Sequence, residues 1–102
     1  MFNELKPGMT GKYLIKTRNS QHIWDLDNML YCRMPGENSN KFSYDNDFVK
    51  LTYIIRWPKV GDYSHIFFDD LDYPDTLEQW RISSIIKSIE PINEDDNDIF
   101  IY

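Results

Sequence analysis

Turn signals interrupt this chain so often that it has room for little beyond short strands. Arg18-Asn19-Ser20, Asp27-Asn28 and Pro35-Gly36 follow one another at the spacing of about 8–12 residues that marks small all-β folds. Pro58 to Asp62 and Asp69 to Asp75 repeat the signal further on. Between them lie runs rich in β-branched and aromatic residues, the side chains that fit a pleated, half-buried surface.

These runs predict strands over Gly11–Thr17, His22–Leu26, Met29–Met34, Phe48–Trp57 and Tyr63–Phe68, with a further short strand at Lys41–Tyr44. His22, Trp24 and Leu26 alternate onto one face, Ile23 and Asp25 onto the other. Asp75 before Thr76, with Glu78 three residues on, is the one capping-box-like pattern, so a short helical turn is expected at residues 76–80. Arg81–Ile89 suits either helix or strand. Its four isoleucines favour strand, with a bend at Ser83-Ser84. Glu94–Asp98 reads as an acidic linker, and Ile99–Tyr102 as a last short strand.

Five to seven strands in 102 residues predict a mainly β domain. The favoured architecture is a small, SH3-like, partly open barrel. Aromatics make up 16% of the chain, enough for a core whose rings each bury about 150–250 Å². Tyr13, Ile15, Trp24, Leu30, Leu51, Ile54, Phe67, Ile82 and Ile85 are the core candidates. No apolar run reaches the roughly 18 residues of a membrane helix, and no signal-peptide pattern opens the chain. A soluble cytoplasmic protein is therefore expected.

Charge is unevenly placed. Residues 1–59 carry a net +3 and residues 60–102 a net −9, giving −6 for the whole. Such a chain is poorly suited to duplex DNA, which is bound through basic groups that displace counterions. Its acidic half suits a basic protein surface.

The run Tyr13-Leu-Ile-Lys-Thr17, then Asn19-Ser20, then Ile23-Trp-Asp-Leu-Asp27 resembles the opening hairpin of small bacteriophage and prophage β-proteins. Pro58-Lys-Val-Gly61 and Arg81-Ile-Ser-Ser84 resemble their closing elements, so the pattern spans residues 11–89. The resemblance implies a phage-type accessory role, in a host bacterial cell, and no particular activity.

Catalytic patterns are weak. Cys32 and His22 fall on neighbouring strands, but a packed thiol accounts for Cys32 equally well. The carboxylates Asp69, Asp70, Asp72 and Asp75 are dense, yet they lack the central Gly and terminal Glu of a calcium loop. No metal, cofactor or enzymatic activity is expected.

Two binding readings remain. In the first, Asp69, Asp70, Asp72, Asp75, Glu78, Asp95 and Asp96 imitate a row of phosphates, with Tyr73 and Trp80 as aromatic anchors. With the resemblance, this suggests a counter-defence inhibitor that blocks a host nucleic-acid-handling protein. In the second, Arg18, His22, Trp24, Tyr31, Arg33, Arg56 and Trp57 hold a nucleotide messenger, arginines on phosphate and aromatics on base. A structural or assembly role in a phage particle, and self-association, are further alternatives.

Overall fold

The structure, a computed structural model, describes residues 2–92. It contains seven strands: β1 (Lys12–Thr17), β2 (Ser20–Asp25), β3 (Leu30–Pro35), β4 (Val49–Arg56), β5 (His65–Asp69), β6 (Glu78–Ile82) and β7 (Ile86–Ile92). All pairings are antiparallel, in one sheet of order β6-β5-β4-β3-β2-β1-β7. No helix occurs among the described residues, so none is long and apolar enough to cross a membrane.

The sheet is open, but its topology forces it to curl. Its two edge strands, β6 and β7, are consecutive in the chain and joined only by residues 83–85. That link spans at most about 15 Å at 3.8 Å per step. A flat seven-stranded sheet would hold its edges about 29 Å apart at the usual strand spacing. Backbone bonds fasten the curl: Gly61 N donates to Ile86 O (2.9 Å) and Ile86 N to Asp62 O (2.8 Å). The segment ahead of β1 spans the same gap, with Phe2 N on Ile89 O (3.1 Å) and Leu5 N on Pro58 O (2.9 Å). Leu5 is thereby buried in the core.

The inner face carries the main core: Leu5, Tyr13, Ile15, Trp24, Tyr31, Val49, Leu51, Ile66, Phe68, Ile86 and Ile89, among others. A second buried cluster, Leu14, Ile23, Cys32 and Ile92, lies on the outer face of β1, β2, β3 and β7. Single residues fix the turns. Gly36 donates to Asn19 O (2.8 Å), and a Cβ there would meet that oxygen at 2.4 Å, so only glycine fits. Asp25 builds the β2–β3 turn by accepting from the backbone N–H of Asp27 and Asn28 and from the Asn28 amide.

Several expectations are corrected. Residues 74–76 form a turn and Glu78–Trp80 are strand, because Gln79 and Arg81 find partners, Asp70 and Asp45, on the inner side of the sheet. Lys41–Tyr44 is loop and turn, with Tyr44 and Asn46 at φ 67°. Residues 81–89 are extended with an interruption at Ser83-Ser84, as expected, the interruption running over 83–85 between two strands. Ile82 and Ile85 face solvent, and Phe67 and Leu30 are only half-buried. On β5 the inward residues are Ile66 and Phe68, one position out of phase with the expectation. Residues 94–98 and 99–102 lie outside the described residues.

Candidate functional site

β6 carries an inverted pattern. Along Glu78-Gln79-Trp80-Arg81-Ile82 the polar Gln79 and Arg81 turn inward, while Trp80 and Ile82 turn outward. Shifting the strand by one residue would exchange its two faces. The observed register is held by hydrogen bonds from Gln79 Nε2 to Asp70 Oδ2 (2.9 Å) and from the Arg81 guanidinium to Asp45 Oδ1 (3.5 Å) and Ser43 O (3.2 Å).

The outward residues therefore join their neighbours in a row. Phe67 on β5 lies between Tyr53 on β4 and Trp80 on β6 in the strand register. His65 stacks on Phe67 at 5.6 Å and meets Trp80 edge-on at 5.9 Å. Tyr53 is 64% exposed, Trp80 60% and Ile82 48%, with Ile55 beside them at 51%. Asp69 and Glu78 pair at the end of this face, and the exposed Asp72 and Asp75 follow in the adjoining loop with Tyr73.

The acidic candidates thus separate. Asp70 is buried and occupied: its Oδ1 accepts from the backbone N–H of Asp72 and Tyr73, its Oδ2 from Gln79 and the Tyr44 hydroxyl. The Gln79 bond first, with those from Tyr44 and the backbone, holds its carboxyl below the usual range. It shapes the loop and is not free for a partner. Glu78 accepts from Thr52 Oγ1 (2.6 Å). Asp95 and Asp96 lie outside the described residues.

The ligand candidates also separate. His22, Tyr31 and Arg33 share the inner face, where β2 and β3 pair His22 with Arg33 and Trp24 with Tyr31. The Tyr31 hydroxyl, whose deprotonation burial opposes, shares a hydrogen bond with His22 Nδ1 (2.6 Å). The other ring nitrogen, Nε2, hydrogen-bonds Ser20 Oγ (2.9 Å), and Ser20 Oγ contacts Thr17 Oγ1 (2.8 Å). Burial, with Arg33 and Arg81 nearby, holds the imidazole neutral down to about 3.

Arg33 Nη1 pairs with Asp45 Oδ2 at 2.7 Å, and Nη2 donates to Ser39 Oγ (2.6 Å) and Asn40 O (3.0 Å). Arg33 and Arg81 both lie over the Phe42 ring, at 4.4 and 4.9 Å. They border a cavity of about 220 Å³ with Ser20, His22 and Phe42. Arg18 lines a neighbouring cleft of about 440 Å³.

Trp24 and Trp57 belong to the core instead, 6.3 Å apart. Arg56 is elsewhere, paired with Asp62 and over Tyr63. Cys32 pairs with Ile23 on β2 and packs in the outer cluster, on the opposite side of the sheet from His22. Burial first, then Asp47 and Asp45, pushes its thiol up to about 11. The two therefore form no nucleophile–base pair.

Sequence reasoning missed Arg81 and the set Tyr53, Ile55, Phe67 and Ile82. The alternation of residues 78–82 carried the signal for Arg81 and Ile82, had those residues been read as strand. Comparison with protein-family models, curated proteins and solved structures finds no match.

Proposed function

We propose that this chain is a non-catalytic binding protein that docks the outer face of β4, β5 and β6 onto a basic protein surface. The observation that carries this is the outward row Tyr53–Phe67–Trp80, extended by Ile55 and Ile82 and left open to solvent. Contiguous exposed apolar patches on a soluble fold mark interaction surfaces. Tyr and Trp are also the residues that most often dominate binding energy. The acids Asp69, Asp72, Asp75 and Glu78, and the net −9 of residues 60–102, supply charge complementarity to a cationic partner.

The phage-type resemblance of residues 11–89 supports placing that partner among host nucleic-acid-handling proteins, with the face acting as a counter-defence block. The short link between the two sheet edges supports reading the curled sheet as an SH3-like, partly open barrel.

The test is capture on the immobilised protein from host extract, at low and high salt, with identification of what is retained. The expected partner is lost as salt rises, is displaced by duplex DNA, and is not retained by Trp80→Ser or by Asp72→Lys/Asp75→Lys. Retention that ignores both variants overturns the reading.

A further inference from the structure

The inner face of the sheet ends in a pocket whose charges do not balance. Arg33, Arg81 and Asp45 are all largely buried, and two guanidinium groups share one carboxylate. Arg33 takes the short contact at 2.7 Å, leaving Arg81 a 3.5 Å contact with Asp45 and a 3.2 Å bond to Ser43 O. His22 is neutral and supplies no counter-charge. The trio is therefore +1 in surroundings where an uncompensated charge is costly.

The cavity of about 220 Å³ in front of it is lined further by Asn19, Asn38, Ser39, Ser83 and Ser84, of which the Ser39 and Ser83 hydroxyls already donate to Asn40 O and Ser84 O. Phe42 holds both guanidinium groups against one ring. Guanidinium groups pair bidentately with carboxylate or phosphate. Two of them beside a single carboxylate, in a cavity lined by polar residues, suit the group with three acceptor oxygens and nearly two charges. Beyond it the cleft of about 440 Å³ shares Asn19, Ser20 and Asn38, leaving room for the remainder of a nucleotide-sized molecule.

We propose that this cavity binds the phosphoryl group of a nucleotide, with Arg81 as its main anchor and Arg33 as the fixed second cation. Its two cations, Arg33 and Arg81, lie on the inner face and not in the outward row, so it stands or falls separately from the docking reading.

Isothermal titration of the full chain with AMP, inorganic phosphate and adenosine tests it. AMP is expected to bind more tightly than phosphate, and adenosine to give no heat. Arg81→Gln should weaken AMP at least tenfold, whereas Asp45→Asn, which removes the competing carboxylate, should tighten it. A purely loop-anchoring role for the trio predicts no such gain. Absence of heat from both AMP and phosphate at millimolar concentration overturns the site. Phosphate binding as tightly as AMP overturns its nucleotide character. Equal AMP affinity in Arg81→Gln, folded by near-ultraviolet circular dichroism, overturns the role of Arg81. Should that variant not fold, the wild-type titrations and Arg81→Lys, expected to bind AMP more weakly, decide.

Discussion

The sheet has two outer faces, and they are finished differently. Over β1, β2, β3 and β7 the outward apolar residues Leu14, Ile23, Cys32 and Ile92 are packed and buried. Over β4, β5 and β6 the outward residues are larger, yet Tyr53, Ile55, Trp80 and Ile82 remain about half exposed or more. Both faces belong to one sheet and follow the same alternation. The difference is whether a structural need for burial is met within the chain. On the first face it is. On the second, β6 spends its inward positions on Gln79 and Arg81, and the bonds of those residues to Asp70 and Asp45 hold the apolar side outward. The proposed docking face rests on this arrangement, with Trp80 in water and Arg81 largely buried.

The largest effect should come from equal truncations on the two faces. Ile23→Ala, at a side chain only 1% exposed, should cost about 2–4 kcal/mol, the usual range for a buried aliphatic cut to alanine. Ile55→Ala, at 51% exposed, should change stability by no more than about 0.5 kcal/mol. Urea denaturation of both variants measures the contrast, and equal losses would dissolve it.

Next in size is a pH dependence from the inner polar end. Burial lowers the folded-state value for His22 from 6.5 to about 3, so below pH 6.5 the unfolded chain takes up a proton that the folded chain refuses. Stability is therefore full above that pH and falls as pH drops toward 3, because folding must exclude one proton. Asp70, whose carboxyl is held below its ordinary range, adds to the loss only below the ordinary 3.8. His22→Gln should flatten the slope between pH 6 and 4.5. An unchanged slope in melts across that window would remove the buried neutral histidine from the account.

The smallest thermodynamic effect separates use from stability. Tyr53→Ser with Trp80→Ser should shift unfolding by about 0.5 kcal/mol or less per site. The pair should nevertheless abolish the binding of a hydrophobic dye to the native protein, because these rings form the open patch. Dye binding that survives would mean the exposed apolar surface lies elsewhere.

Much of the fold was legible. β1 to β5 fall close to where turn residues and strand-forming runs put them, because local backbone preference and period-two alternation are written residue by residue. The reading failed where a local signal competed with a distant one. Asp75 and Glu78 look like the start of a helix, but Gln79 reaches Asp70 and Arg81 reaches Asp45, thirty-six positions away in the chain. The same competition hid the sites. Arg33 and His22 were visible as polar strand residues, whereas Arg81 joins them only because the sheet curls. Asp70 looked like one more exposed acid until its four donors came together.

The sequence by itself determined that the chain is mainly β, where most strands begin and end, and that its acidic charge lies in the second half. Those properties depend on near neighbours and on composition. Only the tertiary structure decided which side of each strand faces inward, which carboxylates are free, and which arginines share a cavity. Those depend on register and closure, and a one-residue shift in either exchanges the buried set for the exposed one.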